Sequence, residues 1–171
     1  MRLRRKVCLL GAPGVGKTSL VRRFVEHRFD EDHESSIAMQ VSKGTVELGD
    51  ISLEMMLWDP EGSEAWGQYN RSFISGASGL IFVVDCTKPR TLDHLLEAQT
   101  KGRGFFGSRP AVLILNKVDL AKDAVLTEAQ LDAASKLNWH IAQASAKSGD
   151  SVDEAFMKLA ELMIEVRRAS A

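Results

Sequence analysis

Cysteine is almost missing from this 171-residue chain, and the two that occur, Cys8 and Cys86, each sit inside an apolar run. That placement reads as two buried thiols in a reducing compartment and excludes a disulfide-built scaffold. A charge of one sign is missing as well, since 22 Lys and Arg stand against 23 Asp and Glu. No global field draws the chain to nucleic acid or to strongly charged substrates, and a small polar ligand stays open. Long hydrophobic runs are absent. After the basic start Met1-Arg2-Leu3-Arg4-Arg5-Lys6, only Val7, Cys8, Leu9 and Leu10 precede Gly11, too few for a signal-peptide core or a membrane span. The tail has no Cys for prenylation, and Arg2 stands where myristoylation requires Gly, so no lipid anchor is expected. Internal repeats and low-complexity segments are lacking too. What remains is a chain with 44% hydrophobic residues, enough for a core without disulfides or structural metals. It is expected to be one domain over residues 1–171, cytoplasmic and monomeric.

Apolar strands alternate with helical patterns throughout, the sequence form of an α/β fold with a mostly parallel sheet. Val7 to Leu10, Leu80 to Val84 and Ala111 to Leu115 are short apolar runs, as central strands buried on both faces require. Val46 and Leu48, then Gly49-Asp50, then Ile51, Leu53, Met55 and Leu57 alternate with period two, which predicts a hairpin and one antiparallel edge strand. Helical spacing appears at Leu20, Val21, Phe24 and Val25, at Leu92, Leu95 and Leu96, and at Val152, Phe156, Leu159, Met163 and Val166. Thr127-Glu128-Ala129-Gln130 and Ser151-Val152-Asp153-Glu154 have capping-box form and predict two helix starts. Arg28 to Ile37 and Pro60 to Tyr69 are polar with weak periodicity and read as mobile loops.

The chemistry begins at Gly11-Ala12-Pro13-Gly14-Val15-Gly16-Lys17-Thr18, followed by Ser19. It is a P-loop pattern set after an apolar strand and at the start of an amphipathic helix. Glycines let backbone N–H groups turn inward around phosphate oxygens, and the helix N-terminus adds partial positive charge. Lys17 supplies a point charge for the β- and γ-phosphates, and Thr18 a hydroxyl for a bridging Mg²⁺. Pro13 fixes φ and removes one N–H, giving a stiffer loop with one phosphate donor fewer. A P-loop does not name the base. Asn116-Lys117-Val118-Asp119 follows the third apolar run, and an Asp carboxylate accepts from both N1–H and the N2 amino group of guanine, a donor pair adenine does not offer.

With Ser145-Ala146-Lys147, Ser36-Ile37 and Asp59-Pro60-Glu61-Gly62 also in order, the chain resembles the Ras/Rab-type small GTPases from Lys6 to about Arg168. The resemblance implies a three-layer P-loop NTPase fold, with a six-stranded, mostly parallel sheet and about five helices. It makes Asp119 the residue that reads guanine, and it has Asn116 tie its loop to the P-loop. The stem of Lys117 would lie over the base, and the backbone N–H of Ala146 would meet guanine O6. Phe29 either packs edge-on against the base or covers core. Ser36 would complete Mg²⁺ coordination with Thr18, Asp59 would hold the ion through water, and the Gly62 N–H would touch the γ-phosphate.

At the switches the chain departs from the family. His33 falls where many relatives carry a Tyr lid, and Glu61 puts a carboxylate where a small residue is usual, facing either the site or solvent. Ser63 replaces the Gln that orients the attacking water. Lys17, Gly62 and Ser63 are thus the catalytic set. The implied function is a GTP/GDP switch with Mg²⁺ and slow hydrolysis, meeting effectors, activating proteins and exchange proteins. The alternative is a scaffold that binds guanine nucleotide without hydrolysing it. Asn116, Lys117 and Asp119 disfavour a P-loop ATPase or kinase. Bacterial or archaeal Ras-like proteins share this short form without a tail. The basic start reads as a solvated strand entry. Arg167-Arg168-Ala169-Ser170 resembles a basophilic kinase target, and its arginines also complement a helix dipole.

Overall fold

The computed structural model describes residues 1–29, 39–60, 71–101, 106–120 and 126–169, the side chains of Arg71 and Lys101 excepted. Six strands, β1 (Arg2–Leu10), β2 (Met39–Leu48), β3 (Ile51–Pro60), β4 (Gly79–Asp85), β5 (Ala111–Asn116) and β6 (His140–Gln143), form one sheet in the order β2-β3-β1-β4-β5-β6. Among the described strands only the β2–β3 pair is antiparallel. Leu48 faces Ile51 across the two-residue turn Gly49-Asp50, and Gly49 takes the left-handed φ of 59° that such a turn demands. Five helices are described: α1 (Lys17–Glu26), α2 (Arg71–Ile74), α3 (Arg90–Lys101), α4 (Glu128–Ser135) and α5 (Val152–Ala169).

Every residue of β4 and β5 is buried, because helices cover both faces of the sheet. Strand pleating divides the core accordingly. Val7 and Leu9 of β1 pack with Leu20 and Val21 of α1 and Phe156 and Leu159 of α5, whereas Cys8 and Leu10 point the other way, toward Ile74, Leu92 and Leu95. Three layers result, as expected. Burial pushes the thiols of Cys8 and Cys86 up to about 11, so both are protonated and inert at neutral pH. No helix among the described residues is long and apolar enough to cross a membrane.

Four local expectations need correction. β1 starts at Arg2 rather than Val7, because its basic half pairs with β3 from Arg2 opposite Ser52 onward. Pro60, expected in a loop, ends β3 opposite Met39. Thr127 and Gln130 form the reciprocal capping box, but Ser151 sits at φ 53°, outside the extended region an N-cap uses. There the turn into α5 is closed by backbone bonds, Val152 N–H to Gly149 O at 3.3 Å and Ala155 N–H to Ser151 O at 3.2 Å. Val166, though inside α5, is half exposed beyond the buried Met163 and Ile164 rather than continuing the core-facing stripe. Parallel pairing brings the carboxyl ends of β1, β3, β4 and β5 to one edge, where α/β sheets bind ligands.

Candidate functional site

The loop Gly11 to Gly16 leaves the end of β1 and enters α1 at Lys17. It is held closely. A Cβ on Gly11 would lie 2.6 Å from Val83 O, and one on Gly16, at φ 97°, would lie 2.3 Å from Asn116 Nδ2. Neither position admits a side chain without displacing its neighbour. Pro13 and Gly14 form the exposed crest, Val15 is buried beneath them, and Ser19 is half-buried in the first turn of α1.

Lys17 is buried, and its Nζ donates to Gly11 O at 3.0 Å and Ala12 O at 3.3 Å. Burial pulls its pKa below the ordinary lysine value, and the charge of Asp59 only partly opposes that pull. An ammonium held among carbonyls and short of solvent gains from an anion beside it. Asp59, at the end of β3, is itself buried and accepts a hydrogen bond from Thr18 Oγ1. A hydroxyl and a carboxylate thus meet in front of the P-loop, hard oxygen donors of the kind Mg²⁺ takes. Thr18 and Asp59 fit that ion.

The residues expected to read the base lie at or just beyond the ends of β5 and β6. Asn116 is buried, donating from Nδ2 to Val15 O at 2.9 Å and accepting at Oδ1 from Ala146 N–H at 3.1 Å. One side chain therefore joins the P-loop to the Ser145-Ala146-Lys147 loop. The Ala146 N–H assigned by resemblance to guanine O6 is engaged by Asn116 in this structure. Lys117 stands at φ 67° and donates to Gly14 O at 2.8 Å and Asp85 Oδ2 at 2.7 Å. Asp119 is exposed, and its Oδ1 accepts from the buried Ser145 Oγ at 2.6 Å. Ser145 Oγ in turn accepts from Ser148 N–H at 3.1 Å, and Lys147 beyond it is exposed. Phe29 is half-buried against the core cluster of α1 and α5, consistent with covering core.

Ser36, Gly62 and Ser63 lie outside the described residues, as do His33, Ile37 and Glu61. Three further residues, Asp85, Thr87 and Arg23, were not foreseen as part of the site. Asp85 ends β4 opposite Asn116 in register and is fully buried. Its sequence signal was a lone carboxylate closing an otherwise apolar strand. Burial pushes Asp85 upward, but bonds from Lys117 Nζ, Thr87 Oγ1 and Thr87 N–H outweigh it and hold the carboxyl below its ordinary value. Arg23 of α1 reaches across to the carbonyls of Ala146 and Lys147. No sequence pattern linked it to a loop more than 120 positions away.

A sequence profile described as the Ras family matches residues 6–165. The chain belongs to the Ras family. Ras-family proteins are GTP-binding switch proteins that hydrolyse GTP, and this member is one of them. It is 29% identical over 161 residues to the Ras-related protein Rab-1 of Theileria parva, covering 92% of this chain and 73% of that protein. It is 34% identical over 160 residues to Rab-12 of Homo sapiens, and 34% over 159 to Rab-1C of Dictyostelium discoideum. The alignments take in 91% of this chain in both cases, with 65% of the human protein and 78% of the Dictyostelium one.

Proposed function

We propose that residues 1–171 act as one guanine-nucleotide domain that binds GTP and GDP with Mg²⁺ and hydrolyses GTP slowly. The observation that carries this reading is the Asn116 side chain, which joins the phosphate loop at Val15 to the base loop at Ala146. A strand end that merely happened to be polar would not bridge two loops that each serve one end of the same ligand. Lys17 faces the β- and γ-phosphates, with backbone N–H groups of the loop around them. Thr18 and Ser36 offer hydroxyls to Mg²⁺, with Asp59 behind them. When bound, that ion neutralises charge developing on the β- and γ-phosphate oxygens.

At the base end Asp119, oriented by Ser145, accepts from guanine N1–H and the N2 amino group. Lys117 is held to lie along the base by Gly14 and Asp85. The segments containing Ser36 and Gly62 meet effectors, activating proteins and exchange proteins according to the nucleotide bound.

Slow turnover follows from residue 63. Hydrolysis needs a water in line with the γ-phosphate, and the Gln of relatives positions it; Ser63 has too short a side chain to reach the same point. Loss of one such contact costs on the order of a hundredfold in rate. Two measurements on the isolated protein test the proposal. Heat-released nucleotide should chromatograph as GDP or GTP, and adenine nucleotide in its place sinks the guanine assignment. In single turnover Ser63→Gln should hydrolyse GTP faster than the parent, and equal rates would mean that another residue positions the water.

A further inference from the structure

Arg23 lies in the last turn of α1, where a basic side chain is ordinarily explained as a complement to the helix dipole. Its contacts go further. Nε donates to Ala146 O at 2.8 Å, Nη2 donates to Lys147 O, and Nη1 donates to His27 O at 3.4 Å. The stem of Arg23 also runs beside Gly149, whose φ of 92° turns the loop back toward α5. Ala146 is consequently gripped on both sides. Its N–H is taken by Asn116, which is anchored to Val15 of the P-loop, and its carbonyl by Arg23 of the helix that the P-loop opens.

We propose that Arg23 is a positioning residue for guanine recognition: its guanidinium fork fixes the Ala146–Lys147 backbone against α1 and so sets how long the nucleotide stays bound. The proposal rests on the reading that the Ser145-Ala146-Lys147 loop meets the base. Two carbonyls on consecutive residues suit a planar fork with several donors, and they suit a single ammonium poorly. The arrangement also makes base and phosphate ends share one support. A displacement of α1 moves the P-loop at its N-terminus and, through Arg23, the base loop at its C-terminus. Any partner that shifts this helix therefore loosens both ends of the ligand together.

The test uses the full chain with Arg23→Ala and Arg23→Lys. Stopped-flow release of a fluorescent GDP gives the dissociation rate, and competition gives the preference for GDP over the diphosphate of 2-aminopurine riboside, which lacks O6 and with it the N1 proton. Arg23→Ala should release GDP faster by about three- to thirtyfold, the range for residues that couple without touching ligand. The loss should be equal for GDP and GTP and smaller for the analogue, so that the preference for the guanine O6/N1–H edge narrows. Arg23→Lys keeps the charge and stem at the helix end. It should retain the parent's unfolding midpoint yet release GDP faster, by less than Arg23→Ala. A Lys variant with the parent's dissociation rate would show that Arg23 serves only the helix dipole and would overturn the proposal. Equal losses for GDP and the analogue in Arg23→Ala would overturn it too, because general loosening does not distinguish the two base edges. If the parent itself shows no preference for GDP over the analogue, the base-loop reading fails first, and the proposal with it.

Discussion

The two ends of the nucleotide site are built on opposite principles. At the phosphate end opposite charges are gathered out of water: Lys17 is desolvated among carbonyls, a burial that Asp59 only partly offsets, and the buried carboxylate of Asp59 accepts from the Thr18 hydroxyl. At the base end nearly every polar group is tied to another. Asn116, Lys117, Asp85, Thr87, Ser145, Ser148 and Arg23 hold one another before any ligand enters. The difference teaches where the ligand's energy goes. A polyphosphate with its cation relieves an electrostatic cost present in the folded chain, whereas guanine meets a frame whose cost folding has already met. Affinity is expected to come mainly from the first end and discrimination from the second.

The strongest way to break that comparison is Lys17→Ala. It removes the fixed full charge at the phosphate end while leaving the base frame untouched. Truncating one partner of a buried, charge-assisted contact costs about 2–5 kcal/mol, so GTP affinity should fall roughly thirtyfold to several thousandfold. Calorimetric titration of the nucleotide-free protein checks it. Unchanged GTP affinity would mean that the loop after β1 does not hold phosphate.

Gly16→Ala attacks the junction of the two ends. Residue 16 lies at φ 97°, where an L side chain is strained, and the added Cβ would meet Asn116 Nδ2 at 2.3 Å. Backbone strain of about 1–3 kcal/mol adds to the cost of unseating a buried amide from Val15 O, about 1–3 kcal/mol. A loss of roughly 2–6 kcal/mol in unfolding stability is expected, with GDP affinity falling in parallel because both loops lose Asn116. Loss of GDP affinity at full stability would place the effect in the loop alone and dissolve the junction.

The same contrast explains what could be read from the chain beforehand. Central strands were legible because burial on both faces leaves uninterrupted apolar runs, as in Leu80 to Val84, and the hairpin because its alternation flanks Gly49-Asp50. Strand β6, His140-Ile141-Ala142-Gln143, was not located: four residues with one large apolar side chain carry no period. The phosphate end was legible because its chemistry is local, eight consecutive residues in a required backbone shape. Of the base end, only the residues proposed to meet the ligand announced themselves. Asp85 and Arg23 contact Lys117 and Ala146, and contacts between a strand end and a loop, or a helix and a loop over 100 positions later, leave no short-range pattern.

The mildest test sharpens the comparison from within the base frame. Asp85 accepts from Lys117 at one oxygen and from Thr87 at the other, and these bonds hold its carboxyl below the ordinary value of 3.8 despite burial. Asp85→Asn keeps the volume and turns an acceptor toward Lys117 into a donor or a neutral oxygen. Charged hydrogen bonds contribute about 1.5–3 kcal/mol, and partial exposure of the Lys117 side chain lowers the expected loss to about 1–2 kcal/mol at neutral pH. The sign with pH follows from the depressed folded value. The carboxylate's stabilisation is fully present above the unfolded pKa near 4 and disappears as pH falls through the lower folded pKa. Stability of the parent should thus drop more steeply below about pH 4 than that of Asp85→Asn, so that the gap between the two closes in acid. Urea midpoints for both proteins at neutral pH and down to about pH 3 measure it. Curves that stay parallel across that range would mean the proton on Asp85 is not linked to folding, and that Lys117 is held by Gly14 alone.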